Sequence, residues 1–358
     1  MLCNLVLATE GSGLRHHVVA MIDGGSQADL LRSRGIPLET LGMRRGRPSV
    51  GAAWRFAQIL RRVRPRIVQS WLYHADLLGL ISRPIAGSRV VWNIRSATHD
   101  GLDAFVRKAC ARLSALPDAV VVNSEAGRQI HAGRGYRPRR WCLIGNGFDL
   151  DVFRPSLECR EAVRRELGLS PDTPLIGLVA RFDPHKGHDT FLSAAAMLAG
   201  RVPGVHFLLA GDGMTPANGA LAELIAERLK GRVHLLGRRA DVPCVTAALD
   251  IASCTSVGEA FPNVVGEAMA CAVPCVVTDV GDSALLVGNP ELVVPPADPQ
   301  ALAELWTRLL AMDPTGLRAI GDRGRERIAA HYGLDAVVRQ YVALYRSLTG
   351  ATRQRCVE

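Results

Sequence analysis

Runs of apolar residues alternate with amphipathic segments along the chain, a pattern typical of parallel α/β folds. Two segments of the first half, 50–64 and 102–115, have the apolar spacing of helices. Around them, five short runs rich in Val, Ile and Leu are predicted as buried strands: HHVVAMI (16–22), IVQSWL (67–72), RVVWNI (89–94), AVVVNS (119–124) and RWCLIG (140–145). The alternation predicts a doubly wound parallel sheet.

The same pattern restarts after residues 145–174, a stretch of turn formers with one short charged helix. Six more strands are predicted there: PLIGLVA (174–180), VHFLLAG (205–211), VHLLG (233–237), AALDIASC (247–254), PCVVTDV (274–280) and LVVP (292–295). Helices are predicted between and after them at 187–200, 218–230, 264–272, 299–312, 315–331 and 334–348. We therefore expect a first domain at 1–155, a second at 156–333, and a final helix and tail at 334–358 that return to the first domain.

The beginning of the chain departs from this plan. An open sheet of this kind normally starts with a strand and a Gly-rich turn, yet MLCNLVLATEGSG has the pattern of a helix that closes at Gly11. Because the first strand lies in the middle of such a sheet, its absence predicts a gap lined by unpaired backbone groups. We expect an upstream in-frame reading to supply the strand and a glycine loop.

Composition limits the class of protein. The chain has 358 residues, 48% of them apolar and 22% charged, which suits packed domains. No uninterrupted apolar run reaches the ~18–20 residues that span a bilayer. The nine cysteines are scattered and lack CxxC pairs, so we predict reduced thiols and a cytoplasmic location. The spacing of Cys271 and Cys275 does not favour a metal site, because no matching His or Cys pair follows.

Positive charge is concentrated in the first half of the chain. Residues 1–150 hold 22 Arg and Lys against 10 Asp and Glu, whereas the remainder holds 21 against 24. This excess is compatible with a solvated face, or with attraction to an anionic membrane surface or a phosphate-bearing lipid. Peripheral binding at the inner face of the cell membrane therefore stays open. Nucleic acid is not expected as a partner, because no nucleic-acid-binding motif accompanies the charge.

The segment ARFDPHKGHDTFL (180–192) joins a strand end to a helix start, the place where α/β sheets bind ligands. Arg181 and Lys186 are five residues apart across a turn and can converge on one diphosphate. The N–H groups of the next helix add positive potential there. Two solvated loop charges would be the alternative interpretation.

A second segment, SVGEAFPNVVGEAMA (256–270), follows a later strand and carries two acids, Glu259 and Glu267. Pro262 halts the preceding segment and Asn263 can cap a helix that begins at Val264, whose free N–H groups form an anion site. One carboxylate can accept hydrogen bonds from a ribose diol and the other from a second polyol. Surface acids near a positive helix end are the structural alternative.

These motifs together resemble a known family. The segments ARFDPHKG, LLAGDG, VHLLGRRADVP, EAFPNVVGEAMACAVPCVVTDVGD and IGNGFDLDVF are similar to the retaining GT-B glycosyltransferases of family 4. The resemblance covers nearly all of 1–349 and implies two Rossmann-like domains that face a cleft, the first without its first strand. SWLYHADLLGL and VVWNIRS further resemble bacterial lipopolysaccharide and exopolysaccharide members.

The resemblance also implies roles for individual residues. Arg181 and Lys186 would bind the donor diphosphate, Glu267 the donor ribose, and Glu259 the donor sugar. Arg181, Lys186 and Glu259 are thus the predicted catalytic group, and the helix mouth completes the donor site. Its predicted members are Phe261, Pro262, Asn263 and Val264.

The acceptor side is less defined. Many family members carry a His at the end of the strand matching RVVWNI, where this chain has Arg95. Candidates for the acceptor-side group are His74, Arg95, His99 and Asp100, each with a structural or solvated role as its alternative.

The predicted function is transfer of a sugar, with retention, from a nucleoside-diphosphate sugar to a lipid-linked or polysaccharide acceptor. We expect no cofactor and no metal, because the two cations and the helix end would stabilise the leaving diphosphate. A sugar-nucleotide epimerase or hydrolase on the same fold, or a non-catalytic sugar-nucleotide-binding protein, are the alternatives.

Overall fold

The computed structural model describes residues 1–23, 25–44, 49–95, 104–225 and 229–350. The chain divides into two compact units. Unit 1 comprises Met1–Gly147 and Leu334–Glu358, and unit 2 comprises Phe148–Gly333. The first division therefore lies eight residues before the boundary expected from the sequence, because Phe148 packs in the core of unit 2.

Unit 1 contains two separate parallel sheets. Its strands are β1 (Val18–Ala20), β2 (Leu38–Thr40), β3 (Ile67–Trp71), β4 (Arg89–Ile94), β5 (Ala119–Val122) and β6 (Trp141–Leu143). One sheet has the order β1-β2 and the other β3-β4-β5-β6. Among the described residues no strand joins β1 to β3, which agrees with the gap expected from the sequence. Strand β2 was not predicted, because it is three residues long and carries Glu39.

Helices cover both faces of these sheets. They are α1 (Leu2–Ala8), α2 (Ser26–Ser33), α3 (Val50–Val63), α4 (Tyr73–Gly79), α5 (Ser82–Ala86), α6 (Ala104–Leu113) and α7 (Glu125–Gly133). The sequence defines the ends of α3 well: the Ser49 side chain accepts a hydrogen bond from the Ala52 N–H, and Arg64 closes the helix in the left-handed region.

Unit 2 is one continuous parallel sheet. Its strands are β7 (Leu175–Val179), β8 (His206–Ala210), β9 (Val233–Leu235), β10 (Ile251–Cys254), β11 (Cys275–Thr278) and β12 (Val293–Val294). Their order is β12-β11-β10-β7-β8-β9. All six fall within the predicted runs. Strands β7, β8, β10 and β11 are almost wholly buried, as expected where helices cover both faces.

The helices of unit 2 alternate with these strands. They are α8 (Leu157–Glu166), α9 (His188–Ala199), α10 (Gly219–Leu224), α11 (Val242–Ala247), α12 (Asn263–Ala270), α13 (Ser283–Val287), α14 (Pro299–Leu310) and α15 (Pro314–Tyr332). The last helix, α16 (Leu334–Thr349), belongs to unit 1. Its apolar face finds the partner it needs there, because Val337 and Tyr341 pack with Val91 and Val121.

One expectation about the cysteines is wrong. The structure joins Cys159 of α8 to Cys244 of α11 in a disulfide, whereas all nine were predicted to be reduced thiols. The two residues are 85 positions apart in sequence, and the packing of α8 on α11 brings them together. Cys271 and Cys275 are free and buried, as expected for small core residues.

Candidate functional site

The predicted ligand-binding segments lie at the point where the strand order of unit 2 reverses. Strand β7 is the first of the unit and has β8 on one side and β10 on the other. The loop that carries Arg181 and Lys186 follows β7, and the loop that carries Glu259 follows β10. Open α/β sheets bind ligands at such a switch point, outside the carboxyl ends of the strands.

Asp183 organises the loop after β7. Its carboxylate caps the 3-10 turn Pro184–Lys186 by accepting the His185 N–H at 2.9 Å. The other carboxylate oxygen accepts from Arg181 Nε and Nη2 at 2.9 and 2.7 Å. The His185 N–H and the Arg181 guanidinium hold the pKa of Asp183 well below its usual range. Asp183 therefore fixes the direction of Arg181, whose side chain is 66% exposed.

Hydrogen bonds join this loop to the loop after β10. Thr255 Oγ1 donates to the carbonyls of Lys186 and Gly187 at 2.9 Å each, and the Val257 N–H donates to the His185 carbonyl at 2.9 Å. Gly187 has φ +64°, and a Cβ there would lie 2.0 Å from the Thr255 carbonyl oxygen. Only glycine fits this approach, so the two predicted segments form one structural element.

The approach brings Lys186 and Glu259 into direct contact. Lys186 Nζ forms an ion pair with Glu259 Oε1, and Ser256 Oγ donates to the same oxygen at 2.9 Å. The two side chains are 23% and 12% exposed, so the pair is largely shielded from water. The arrangement places a cation and a hydrogen-bond acceptor together at the switch point. Ser256 was not anticipated from the sequence.

Helix α12 begins four residues after Glu259 in the chain, and its cap differs from the expectation. The helix begins at Asn263, with Pro262 in the N-cap position and no side-chain cap. Asn263 is therefore the first helical residue and not the cap, because Pro262 already has the extended backbone that precedes a helix. Asn263 is exposed and Val264 is half-buried.

Glu267 lies one turn into α12 and is mostly enclosed. It borders a void of about 10 Å³ with Gly177, Thr246 and other residues of the sheet. Burial raises the pKa of Glu267 to about 7. A carboxyl group with this pKa changes charge near neutral pH, which suits an acceptor of hydroxyl hydrogen bonds that is desolvated before the ligand binds.

Phe261 and Pro262, which were predicted to contact the donor, are buried. Phe261 is 8% exposed, with its ring centroid 6.2 Å from that of Phe148 and 5.8 Å from that of Tyr332. A Cβ on Gly266 would lie 2.1 Å from the Phe148 ring, so helix and ring are in close contact. The structure places Phe261 in the packing beneath the turn, where it supports the start of α12.

Two further loops lie next to the loops of Glu259 and Arg181, and neither was predicted as part of the site. After β11, Gly281 has φ +56°, and a Cβ there would lie 2.4 Å from the Glu259 carbonyl oxygen. After β8, the Phe182 N–H donates to the Asp212 carbonyl at 2.7 Å. Each loop contains a Gly-Asp pair within three residues of a strand end, and this pair is the sequence signal that could have identified both loops.

His188 is the buried histidine of the site. It is 4% exposed, and burial lowers its pKa to about 4, so its imidazole is neutral at physiological pH. Across the described ranges, His, Cys, Asp and Glu side chains form no group of three that could hold a metal ion. Independence from metal stays a prediction.

In unit 1 the structure engages Arg95 in an internal network. Its guanidinium donates to Asn93 Oδ1 at 3.1 Å and also to Asn146 and the Tyr341 hydroxyl. It lies 5.0 Å from the centroid of the Trp71 ring, and burial lowers its pKa. These contacts give Arg95 a structural role in this unit.

Of the other acceptor-side candidates, His74 is exposed on α4, while His99 and Asp100 lie outside the described residues. Part of the basic surface is used internally, since Arg62 pairs with Glu39 and Arg66 donates to the Thr349 carbonyl at 2.8 Å. In the portions of the chain that the structure describes, every helix is too short or too polar to cross a membrane.

Two family models match this chain, one in each half. The model named Glycosyltransferase Family 4 matches residues 1–152, and the model named Glycosyl transferases group 1 matches residues 173–312. Together the two matches extend over most of both units, so each unit resembles a domain of known glycosyltransferases.

Individual relatives share about 30% of their residues with part of this chain. D-inositol 3-phosphate glycosyltransferase of Corynebacterium urealyticum is 31% identical over 64% of this chain and 57% of its own length. The same-named protein of Mycobacterium tuberculosis is 30% identical over 66% of this chain and 51% of its own length. The chain thus spans about half the length of these curated relatives.

Solved structures share the fold over almost the whole chain. Anabaena HepE in complex with UDP has a TM-score of 0.83 at 24% identity, with 97% of this chain and 95% of that chain covered. A glycosyltransferase from Rickettsia africae has a TM-score of 0.85 at 19% identity, with 98% and 94% covered.

Proposed function

We propose that this protein transfers a sugar, with retention of configuration, from a nucleoside-diphosphate sugar to a lipid-linked or polysaccharide acceptor. The observation that carries the proposal is the convergence of Arg181, Lys186, Glu259 and the first turn of α12 at the switch point of unit 2. These groups supply two cations, the positive end of a helix and carboxylate acceptors at one edge of the sheet.

Each group has a task in this reaction. The diphosphate would bind the exposed guanidinium of Arg181, beyond the edge that donates to Asp183, and the ammonium of Lys186, while the N-terminal end of α12 adds positive potential. As the bond to the sugar breaks, negative charge grows on the leaving diphosphate, and these fixed positive groups stabilise it. No metal is needed in this scheme.

The carboxylates would recognise hydroxyl groups. When the diphosphate draws Lys186 away from Glu259, the carboxylate of Glu259 becomes an acceptor for sugar hydroxyls, and Ser256 keeps it in place. Glu267 would accept from the ribose diol of the donor. The ion pair in the free protein thus holds both side chains near the positions that the donor requires.

The relatives suggest which donor to test first. HepE is described in complex with UDP-glucose, so a uridine diphosphate sugar is the first candidate. The D-inositol 3-phosphate glycosyltransferases are named for a phosphorylated acceptor, and the basic surface of unit 1 suits an acceptor that carries phosphate. A cytoplasmic enzyme at the inner face of the cell membrane, active in cell-surface polysaccharide synthesis, would meet such a substrate.

The test begins with a screen of uridine, guanosine and adenosine diphosphate sugars by thermal stabilisation, followed by transfer assays on lipid extract in EDTA. A bound donor at 100 times its Kd adds about 2.7 kcal/mol to the stability of the domain that binds it. We expect one nucleotide class to stabilise the protein, and Lys186→Ala or Arg181→Ala to lower transfer about 100-fold or more.

Arg165→Ala is the matched control, because Arg165 is exposed on α8 away from these loops, and it should behave as the parent protein. Binding without transfer to any extract fraction would instead support a sugar-nucleotide-binding protein. Donor that is isomerised or hydrolysed without transfer would support an epimerase or hydrolase. A product of inverted configuration would exclude retention.

A further inference from the structure

Arg95 lies where two neighbouring strands of unit 1 end. It directly follows β4, and the adjacent strand β3 ends at Trp71, which is in register with Asn93 of β4. Parallel α/β sheets bind ligands outside the carboxyl ends of their strands. None of the residues proposed to bind the donor belongs to this edge, so the edge can serve a different ligand.

Buried neutral groups hold the guanidinium of Arg95 in place. It donates to the side-chain oxygens of Asn93, Asn146 and Tyr341, which are 0%, 9% and 0% exposed. It also lies 5.0 Å from the centroid of the Trp71 ring, while Arg95 itself is only half-buried. Three of its five N–H groups are used in this way, and no residue of the described chain accepts from the other two.

The positive charge of Arg95 has no carboxylate partner in the described part of the chain. The ionisable side chains that act on it are the hydroxyls of Tyr341 and Tyr345, and burial raises the pKa of both, so they are neutral. In unit 2, by contrast, the buried guanidinium of Arg164 forms an ion pair with Asp250 at 2.7 Å. A cation withdrawn from water without an anion is costly. Arg95 is therefore arranged to receive an anion from outside the chain.

Leu72, at the end of β3, is a second and independent sign of a ligand at this edge. Its φ of +72° and ψ of 162° lie in a region that glycine alone adopts readily. Two hydrogen bonds hold this backbone, because the Leu72 N–H donates to the Asn93 carbonyl at 3.2 Å and the Asp76 N–H donates to the Leu72 carbonyl at 2.9 Å. The Leu72 side chain is 50% exposed. Strained backbone is concentrated at ligand sites, so we expect an apolar part of the ligand to contact Leu72.

We propose that Arg95 binds a phosphate group carried by the acceptor, and that Leu72 contacts an apolar chain attached to the same phosphate. The inference rests on the proposed function for the acceptor and adds the residues that select it. Phosphate suits Arg95, because guanidinium N–H groups match phosphate oxygens in geometry and charge. A lipid phosphate would use both residues, whereas a soluble sugar phosphate would use Arg95 alone.

The test is calorimetric titration of the full chain without donor. The probes are dodecyl phosphate, glucose 6-phosphate and dodecyl glucoside, each below any concentration at which it forms micelles. We expect dodecyl phosphate to bind more tightly than the other two, because each of those lacks one of the two recognised groups.

Arg95→Met keeps an apolar side chain against Trp71 but has no charge. It should lower the affinity for dodecyl phosphate about 10- to 100-fold and leave the affinity for dodecyl glucoside unchanged. Arg89→Met is the matched control, because Arg89 is exposed at the opposite end of the same strand, and this variant should bind as the parent does.

Two further variants keep the test decisive if Arg95→Met folds poorly. Arg95→Lys keeps the charge and loses the planar fork, so it should lower the affinity for dodecyl phosphate about threefold to tenfold. Leu72→Gly adopts φ +72° without strain and lacks the apolar side chain. It should lower the affinity for dodecyl phosphate about fivefold and leave the affinity for glucose 6-phosphate unchanged.

The inference fails if Arg95→Met binds dodecyl phosphate as tightly as the parent, because apolar surface alone would then hold the probe. It also fails if dodecyl glucoside binds as tightly as dodecyl phosphate. Equal affinity for glucose 6-phosphate and dodecyl phosphate, lost in Arg95→Met, would support phosphate binding by Arg95 and contradict the contact of Leu72 with an apolar chain.

The same variants distinguish this inference from the proposed function. Arg95→Met should keep the donor-induced stabilisation of the parent, because the proposed donor site belongs to unit 2. If dodecyl phosphate binds through Arg95 while no nucleotide sugar stabilises the protein, the phosphate site stands and the proposed function fails. If a donor binds and sugar is transferred while phosphate binding does not depend on Arg95, only the inference is overturned.

Discussion

Strands β3 and β7 are equal in length and differ in their surroundings. Each has five residues, IVQSW and LIGLV, and each follows a helix, α3 or α8. Strand β7 has a neighbour on both sides and four buried residues, whereas β3 has one neighbour and one buried residue. Burial of an apolar strand thus depends on the completion of its sheet as much as on its own residues.

The difference between the two sheets affects how firmly the loops at their strand ends are held. In unit 2 the loops that carry Lys186 and Glu259 leave the ends of β7 and β10, which are hydrogen-bonded neighbours, and the loops bond to each other through Thr255. A site on loops fixed in this way keeps its geometry with little help from the ligand. In unit 1, strand β3 has a hydrogen-bonded neighbour on one side only within the described chain, so the residues after it are held less firmly.

The sharpest way to test the contrast is hydrogen exchange in the free protein. We expect the amides of Ile67, Gln69 and Trp71 to exchange about 1000-fold faster than those of Val68 and Ser70, because only the latter two donate to β4. In β7 every residue has a partner strand, either β8 or β10, so its amides should all exchange slowly. Uniform protection along β3 would mean that its outer edge is paired in solution.

A second prediction concerns the close contact that makes the site of unit 2. Gly187→Ala places a Cβ 2.0 Å from the Thr255 carbonyl oxygen and forces a side chain into the left-handed region. We expect a loss of about 3 kcal/mol in the free energy of unfolding of unit 2, and loss of donor-induced stabilisation. Urea unfolding followed by circular dichroism, with and without donor, measures both.

Gly204→Ala separates the two causes. Gly204 has φ +78° but no atom within 4 Å of an added Cβ, so it carries the backbone strain without the clash. We expect about 1 kcal/mol of destabilisation and normal donor binding. Equal behaviour of the two variants would show that the Gly187 contact has no part in forming the site.

The sequence predicted the strands of unit 2 better than the contacts of its site. Val, Ile and Leu runs such as 174–180 predict strands because strands buried on both faces have few polar residues. The rule that ligands bind at strand ends then brings the loops of Arg181 and Glu259 to the same edge. The hydrogen bonds of Asp183 with Arg181 and of Ser256 with Glu259 depend on side-chain rotamers. The pattern of apolar and polar residues does not predict rotamers.

Three predictions from the sequence failed, either because the feature depends on residues far apart in the chain or because the local sequence signal is weak. The pairing of Cys159 with Cys244 follows from the packing of two helices 85 residues apart, and thiol spacing does not report it. Strand β2 is short and polar at Glu39, which bonds to His17 at 2.6 Å across the two strands. The start of α12 was misplaced by one residue because Pro262 and Asn263 are both common near helix starts.

The disulfide allows a third comparison of the two units. It joins two helices of unit 2, and no disulfide is present in the described part of unit 1. Closing a loop of this length restricts the unfolded chain, so reduction should lower the free energy of unfolding of unit 2 by about 2–4 kcal/mol. The unit 1 transition should not move. Thermal unfolding with and without a phosphine reductant measures this.

Cys159→Ser is the control for that experiment, since it should match the reduced parent and ignore the reductant. If the parent is equally insensitive, the two sulfurs are not bonded in solution. The reduced thiols predicted from the sequence would then be correct for Cys159 and Cys244.

The last prediction concerns a pH-dependent effect of Glu267, whose pKa burial raises to about 7. Because the folded state holds this proton more tightly than the unfolded chain, the contribution of Glu267 to stability falls as pH rises from about 4.5 to about 7 and is constant above. Glu267→Gln removes the titration, so relative to the parent it should gain up to about 2–3 kcal/mol between pH 4.5 and pH 8.

Donor binding should show the opposite pH dependence. A ribose diol donates to the ionised carboxylate, so donor affinity of the parent should rise between pH 6 and pH 8, and Glu267→Gln should bind weakly and without this rise. Calorimetric titration of the parent and of Glu267→Gln with donor at three pH values measures this difference. If the parent shows flat affinity while its stability titrates, Glu267 is a buried acid of the unit 2 core that does not contact the donor, and the ribose-binding role has to pass to another residue of the site.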